Sequence, residues 1–218
     1  MIQKNKSLNY LIKEPKVVQD KNPLLLLLHG YGSNEEDLFS FATELPEDCY
    51  VISVQAPYVL PQFGYAWYAI NFDENMQKFS DDAQAIVSRE KIVTFIDELL
   101  AHYPIDKDNV HLIGFSQGAI LSYAIALSYP EKIRKVVALS GYFNADIIQA
   151  GYEQNDFSGL SFFTSHGSAD QVIPVEWARK TPEILKELGI AHEYHEYPVG
   201  HGVAPKNFFD FKNFLVKK

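Results

Sequence analysis

Short apolar segments alternate with longer amphipathic ones along the chain, and this alternation predicts its secondary structure. Seven segments are predicted as strands: Ser7–Leu11, Leu24–Leu28, Tyr50–Val54, Val110–Phe115, Lys135–Leu139, Leu160–Ser165 and His192–Tyr197. Three of them, which begin at Leu24, Val110 and Lys135, are almost continuously apolar, a pattern typical of strands that are covered on both faces.

Helices are predicted between these strands. Ser33 and Glu36 have the spacing of a capping box, which predicts a helix that runs toward Leu45. Four further helices are predicted at Asp81–Tyr103, Gln117–Tyr129, Glu176–Leu188 and Pro205–Val216. Strands that alternate with helices predict an α/β fold with a mostly parallel central sheet and helices on both faces. Because no repeat or linker interrupts the pattern, we expect residues 1–218 to form a single domain.

One stretch, residues 57–80, does not follow the alternation. It carries seven aromatic residues among Pro, Gly and Asn: Tyr58, Phe63, Tyr65, Trp67, Tyr68, Phe72 and Phe79. No period of two or of 3.6 dominates there, so we predict a long loop. Long loops in compact domains are often functional, and we therefore expect this one to lie near the active site.

Composition and charge narrow the class of protein. The chain has 19 Lys and Arg against 28 Asp and Glu, a formal net charge of −9. A chain this acidic is a poor candidate for binding nucleic acid or anionic lipid, both of which need a basic face. The longest aliphatic run, Leu24–Leu28, is far too short for a membrane helix, and no secretory signal is recognised. We therefore expect a cytoplasmic protein without integral membrane association, in which lone Cys49 forms no intrachain disulfide.

A candidate nucleophile lies in the motif Gly114-Phe115-Ser116-Gln117-Gly118. This G-x-S-x-G pattern is weak alone, but here a predicted strand precedes it and a predicted helix follows it. A strand, a sharp turn and a helix are the setting that exposes a nucleophilic serine. The alternative is a serine that merely caps an ordinary helix, and the context favours Ser116 as the nucleophile.

A serine hydroxyl needs a base, and chain order limits the choice of histidine. In this arrangement the order is Ser, then Asp or Glu, then His, which excludes the three histidines that precede Ser116. His166 comes before any suitable acid. His192 and His195 are three apart on a strand and so face opposite sides. His201 remains, on a glycine-flanked loop after the last strand, and we predict it as the base.

The acid is expected at the end of the preceding strand. Asp170 lies on a turn directly after the strand that ends at Ser165, whereas Asp146 and Asp156 do not closely follow a strand. Asp170 would orient His201 and stabilise its protonated form.

Two backbone N–H groups are predicted to bind the oxyanion. One belongs to Gln117, the residue after the nucleophile, and the other to Tyr31, in the turn Leu28-His29-Gly30-Tyr31-Gly32 after an early strand. Because the donors would be backbone groups, the side chains at both positions are loosely constrained.

These motifs, together with Leu139-Ser140-Gly141, His166-Gly167-Ser168-Ala169-Asp170 and Gly200-His201-Gly202, resemble one family closely. The chain is similar to the phospholipase/carboxylesterase family of α/β-hydrolases, which includes acyl-protein thioesterases. The resemblance implies a compact α/β-hydrolase fold without a large cap domain, the triad Ser116–Asp170–His201, and Tyr31 and Gln117 as oxyanion donors. It also implies no metal and no organic cofactor. The chain departs from the family at residues 66–70, where no acidic residue follows Trp67 at the usual spacing.

The resulting expectation is a serine carboxylesterase that hydrolyses a small-molecule carboxylic ester through an acyl-enzyme on Ser116. Five side chains are predicted to line its substrate pocket: Phe63, Trp67, Tyr68, Val172 and Ile173. The same triad would serve a thioesterase, a lysophospholipase-type enzyme, a lactonase or a peptidase, and a ligand-binding homologue without turnover is a further alternative. Whether the chain forms a homodimer is not predicted.

Overall fold

The computed structural model describes residues 1–72 and 78–217. Its strands are β1 Tyr10–Lys13, β2 Asn22–Leu28, β3 Tyr50–Val54, β4 Tyr58–Leu60, β5 Gly64–Ala66, β6 Ile70–Phe72, β7 Lys78–Ser80, β8 Ile105–Phe115, β9 Lys135–Leu139, β10 Ser161–Gly167 and β11 Ala191–Tyr197. Its helices are α1 Glu36–Phe39, α2 Asp82–His102, α3 Gln117–Ser128, α4 Val175–Ala178, α5 Thr181–Glu187 and α6 Pro205–Val216.

Seven strands form the central sheet, in the order β1-β3-β2-β8-β9-β10-β11. β1 is antiparallel to β3, and every other neighbouring pair is parallel. The predicted α/β fold with a mostly parallel sheet is therefore confirmed. The parallel strands end in register at one edge, where Leu28 pairs with Gly114, and Leu139 with Phe115.

Both faces of the sheet are buried, and the leucine run of β2 shows how. Leu24, Leu26 and Leu28 contribute to a core shared with the buried faces of α2 and α3. Leu25 and Leu27 point to the opposite face and contribute to a second core shared with Leu38 of α1 and the phenylalanines of α6. Alternate residues of a strand face opposite sides, so an unbroken apolar run supplies both cores.

The predicted bounds of the first strand and of the first helix are wrong for identifiable reasons. β1 begins at Tyr10 rather than Ser7, because its antiparallel partner β3 ends at Val54, which pairs with Tyr10. Ser33 forms no capping box, because its hydroxyl donates to the Asp37 carboxylate at 2.7 Å. The chain then reaches Leu45 through turns after α1 has ended at Phe39.

The prediction of a long loop at residues 57–80 is also wrong. β4 pairs with β5 and β6 pairs with β7, each antiparallel, so the segment contains two short ribbons. Strands of three residues are too short to show a period-two pattern, so these four strands could not be recognised from the sequence. Residues 73–77 of the predicted loop lie outside the described residues. Within the described ranges, none of the helices combines the length and the apolar character that crossing a bilayer requires.

Candidate active site

The predicted catalytic residues follow parallel strands that end at the same edge of the sheet. Ser116 follows β8, Asp170 lies after β10, His201 lies after β11, and Tyr31 lies after β2. Two backbone hydrogen bonds join the segment after β10 to the end of β11 and the loop that follows it. The Ser168 N–H donates to the Tyr197 carbonyl at 2.8 Å, and the Ala169 N–H donates to the Val199 carbonyl at 3.1 Å. The carboxyl edge of a parallel sheet is where such folds place their ligands.

The turn at Ser116 is strained and closely packed. Ser116 has φ +53° and ψ −115°, a backbone conformation that L residues rarely adopt. A Cβ at Gly114 would lie 2.3 Å from the Gly118 carbonyl oxygen, and one at Gly118 would lie 1.9 Å from that of Leu28. No side chain fits in either place, so both glycines of the motif are sterically required by the turn between β8 and α3.

Asp170 and His201 form a direct hydrogen bond. Nδ1 of His201 lies 2.7 Å from Oδ2 of Asp170, and the other oxygen of the fully buried carboxylate accepts the N–H groups of Val172 at 2.8 Å and Ile173 at 3.0 Å. Burial opposes the ionised form of Asp170, but the hydrogen bonds from His201, Ile173 and Val172 outweigh it and lower the pKa of that carboxyl. Asp170 is thus held as a carboxylate, and Nε2 of His201 is left available for another partner.

The turn after β2 lies against the nucleophile. A Cβ at Gly30 would be 3.3 Å from that of Ser116. Buried His29 holds this turn, because its Nε2 accepts the Ala56 N–H at 3.1 Å while its Nδ1–H donates to the Gly30 carbonyl at 2.7 Å. Burial lowers the pKa of His29, which keeps the ring neutral as this pattern requires. In the described part of the chain, the N–H groups of Tyr31 and Gln117 donate to no other backbone or side-chain acceptor.

A network that the sequence did not reveal joins the two oxyanion candidates. The side chain of Gln117 accepts the Trp67 N–H at 3.1 Å and donates to the Tyr68 carbonyl at 2.9 Å. The indole N–H of Trp67 donates to the His29 carbonyl at 2.8 Å. Trp67 therefore ties the turn after β2 to the start of α3. The sequence signals for this network are Trp67, directly after the hairpin of β4 and β5, and His29, directly after the leucine run.

Two of the predicted catalytic residues, Ser116 and His201, line one cavity of about 690 Å³, and we refer to it for that reason as the catalytic cavity. Its other lining residues are Tyr31, Tyr68, Ile70, Ser80, Asp82, Gln117, Ile120, Tyr142, Asn144, Asp146, Val172, Ile173 and Trp177. Tyr68, Val172 and Ile173 line this cavity, and their contact with substrate stays a prediction. The placement of Phe63 and Trp67 in the pocket is wrong: Phe63 is 69% exposed on the ribbon of β4 and β5, and Trp67 is fully buried behind the cavity wall.

A second cavity, of about 320 Å³, adjoins the first. Tyr142 and Trp177 line both cavities, and their rings meet edge to face with centroids 5.1 Å apart. The remaining walls of the second cavity are Phe143, Lys180 and Ile184. The apolar lining of the catalytic cavity therefore continues past this aromatic pair toward α5.

The opposite wall of the catalytic cavity is acidic. Asp82 and Asp146 line it, and Asn144 donates to the Asp82 carboxylate at 3.3 Å. Burial raises the pKa of Asp82, the hydrogen bond from Asn144 opposes this, and the charges of Asp146 and Asp81 add to the rise. Among residues 1–72 and 78–217, no Lys or Arg lines this cavity. In the same ranges no three His, Cys, Asp or Glu side chains are grouped so that they could hold a metal ion.

Comparison with known proteins places the chain in a family. The sequence profile described as phospholipase/carboxylesterase matches residues 11–218, nearly the whole chain. Acyl-protein thioesterase 1 of Debaryomyces hansenii is 29% identical over 168 residues, which cover 75% of this chain and 70% of the relative.

Solved structures agree with the sequence comparison. The crystal structure of esterase PE8 has a TM-score of 0.81 and 27% identity, and the alignment covers 94% of this chain and 96% of that one. The carboxylesterase of Bacillus cereus, at 22% identity, shares the fold with a TM-score of 0.82 over 97% of this chain and 94% of its own. The predicted resemblance and the prediction of a hydrolase are thereby confirmed. The chain belongs to the phospholipase/carboxylesterase family of α/β-hydrolases.

Proposed function

We propose that the protein is a serine carboxylesterase that hydrolyses small-molecule carboxylic esters through an acyl-enzyme on Ser116. The observation that carries this proposal is the hydrogen-bonded pair Asp170–His201, with a 2.7 Å contact, at the cavity that Ser116 also lines. A serine, a histidine and a buried carboxylate in this chain order and at this edge of the sheet are the parts that acyl transfer needs.

In the first half of the reaction, Ser116 attacks the ester carbonyl. Nε2 of His201 takes the hydroxyl proton as the Oγ–C bond forms, and Asp170 stabilises the resulting imidazolium through Nδ1. The negative charge on the former carbonyl oxygen is bound by the N–H groups of Tyr31 and Gln117, each worth about 2.7–4 kcal/mol in such a site. His201 then donates its proton to the alcohol oxygen, which leaves as the C–O bond breaks.

In the second half, water hydrolyses the acyl-enzyme. His201 takes a proton from water as its oxygen attacks the acyl carbon, and the same N–H groups bind the second oxyanion. The proton returns to Oγ of Ser116 as the acid departs. No metal or organic cofactor enters this cycle, because the attacking group, the base and the oxyanion donors all come from the chain.

The cavity supports a substrate with an apolar portion. Ile70, Ile120, Ile173 and Trp177 line it together with the rings of Tyr68 and Tyr142. An acyl or aryl group laid against these side chains would gain about 25 cal/mol per Å² of apolar surface removed from water.

The proposal is tested with a fluorophosphonate, which forms a covalent bond to an activated serine oxygen and releases fluoride. We expect one adduct, on Ser116 by peptide mass spectrometry. Ser116→Ala should abolish labelling and lower kcat for nitrophenyl esters on the order of a million-fold, as for other triads. Ser158→Ala changes an exposed serine that does not line the cavity. It is the matched control and should leave both the labelling and kcat unchanged. Esterase activity retained by Ser116→Ala would refute the proposal.

A thioesterase is the second candidate, because relatives of this chain carry that name. Matched oxygen esters and thioesters of equal acyl length separate the two, since they differ only in the leaving group. A preference for thioesters in kcat/KM would assign the site to thioester substrates. A burst of one product per site without turnover would indicate a ligand-binding homologue instead.

A further inference from the structure

His166 is a buried histidine that the proposed reaction does not use. It lies on β10, four residues before Asp170, and is 1% exposed. Its Nε2 is 2.9 Å from the Ile173 carbonyl oxygen and 3.2 Å from Oδ2 of Asp170. The second distance joins it to the same carboxylate oxygen that receives His201.

The partners of His166 define its protonation. A carbonyl oxygen can only accept, so Nε2 must carry a proton, which it shares between Ile173 and Asp170. Its Nδ1 is buried and has no hydrogen-bond partner among the described residues. A proton on that atom would be a buried donor without an acceptor, which is costly, so the ring is neutral with its proton on Nε2.

With this proton, His166 completes the set of donors around Asp170. Oδ1 receives the N–H groups of Val172 and Ile173, and Oδ2 receives Nδ1–H of His201 and Nε2–H of His166. An ionised carboxylate offers about four acceptor positions, so a carboxylate that no water reaches is fully satisfied by these four groups. Three of the donors are fixed by backbone or by β10, and only His201 is on a glycine-flanked loop.

We propose that His166 is a positioning residue, which as a neutral Nε2–H donor orients Asp170 and moderates how strongly that carboxylate attracts the proton of His201. The inference rests on the proposed function, since it assigns His201 as the base. The other charged groups near His166 are Glu196, its register partner on β11, and Arg179, which forms an ion pair with Glu196 at 2.7 Å. The opposite charges of Arg179 and Glu196 offset each other, so Asp170 is the charged group on which His166 acts.

The sign of the effect follows from the competition at Oδ2. A donor to Oδ2 withdraws charge that would otherwise stabilise protonated His201. Loss of that donor leaves more of the carboxylate's charge to stabilise protonated His201. The acid limb of kcat/KM should therefore move to higher pH, because the reaction needs neutral His201. A loosened Asp170 should also orient His201 less well, which lowers kcat and leaves KM nearly unchanged.

The test compares His166→Leu, which removes the donor, with His166→Gln, whose amide N–H can replace Nε2–H without titrating. For the Leu variant we expect kcat to fall roughly tenfold and the acid limb to rise by about half to one pH unit. The Gln variant should restore both toward the parent protein. A purely structural His166 would lower the unfolding temperature without moving the limb, and an unmoved limb in folded His166→Leu would overturn the proposal.

A measurement on the unmutated protein guards against variants that do not fold. Nitrogen-15 NMR of its histidines, recorded in the assay buffer, should show His166 protonated at Nε2 and unprotonated at Nδ1. A proton on Nδ1 would overturn the inference. The proposed function fails separately: in that case the parent protein would show neither a fluorophosphonate adduct at Ser116 nor an acid limb.

Discussion

At the scale of single residues, Gln117 combines two tasks that belong to different parts of the residue. Its backbone N–H is available at the start of α3, as the proposed oxyanion donor. Its side chain is buried, with 2% exposed, and forms two hydrogen bonds with the backbone of Trp67 and Tyr68. The donor itself is independent of side-chain identity, whereas its fixed position relative to the turn after β2 depends on the amide group.

Gln117→Leu is expected to separate these tasks, since leucine keeps the N–H and has a similar size. Loss of these two hydrogen bonds leaves the Trp67 N–H and the Tyr68 carbonyl unsatisfied, so the two oxyanion donors should be less well aligned. We expect kcat to fall about tenfold with KM within twofold, an effect on the transition state rather than on binding. Steady-state kinetics with a short nitrophenyl ester measure this.

The control for this variant is Gln154→Leu, at an exposed glutamine that lines neither the catalytic cavity nor the second cavity. It removes a side-chain amide of the same kind and should leave kcat and KM at the values of the parent protein. Equal kcat for Gln117→Leu and the parent protein would show that the side-chain network has no part in alignment.

The turn that carries the proposed nucleophile could be predicted from sequence because the constraints on it are local. A strained turn at Ser116 admits only glycine at two flanking positions, and such steric demands leave a readable motif. Trp67 could not be placed in the same way. Its burial depends on a hydrogen bond from its indole to the His29 carbonyl, 38 residues earlier in the chain, and no local pattern encodes that contact.

At the scale of elements, Pro182 divides what looked like one helix. The amphipathic stretch 176–188 predicts a single helix, but α4 ends at Ala178 and α5 begins at Thr181, with Pro182 in its first turn. Proline has no N–H to donate to an earlier carbonyl, so it suits a helix start and interrupts a continuous one. The break directs Trp177 of α4 toward the catalytic cavity while α5 forms the wall of the second cavity.

Ile184→Trp tests whether long substrates extend into that second cavity. Ile184 of α5 lines the second cavity and not the catalytic one, so a larger side chain should fill the extension and leave the triad untouched. We expect kcat/KM for a decanoate ester to fall roughly tenfold, the worth of about two methylene groups at about 0.8 kcal/mol each, while an acetate ester is unaffected.

A smaller side chain at the same position is the matched control. Ile184→Ala keeps the extension open and should retain the decanoate activity. If Ile184→Trp lowers the rates for acetate and decanoate equally, the substrate chain does not reach the second cavity.

At the scale of the whole molecule, the net charge of the protein and the acidic wall of the cavity both disfavour anionic substrates. The net charge of −9 makes the protein's field repel anions, and Asp82 and Asp146 place negative charge on the wall of the catalytic cavity itself. The net charge can be predicted from the sequence by counting charged residues. The acidic wall depends on α2 beginning beside the segment after β9, a contact across about 60 residues that composition does not reveal.

Asp82→Asn should therefore relax discrimination against anionic esters. Compared with the parent protein, kcat/KM for an ester that carries a carboxylate should rise about fivefold relative to its neutral analogue, and less at high salt, where charges are screened. Asp20→Asn changes the net charge equally at an exposed position outside the cavity and should leave the ratio unchanged. An unchanged ratio in Asp82→Asn would show that substrates do not approach this wall.

The two tryptophans of the chain give the molecule built-in optical reporters of two separate events. Trp67 is wholly enclosed and bonded to the turn after β2, so its blue-shifted emission should persist until the fold itself is lost. Trp177 is 47% exposed between the two cavities, and its emission should shift when a ligand displaces water from it. Ligand binding at the cavities and unfolding of the protein can therefore be followed in one unlabelled sample, from the wavelength of tryptophan emission alone.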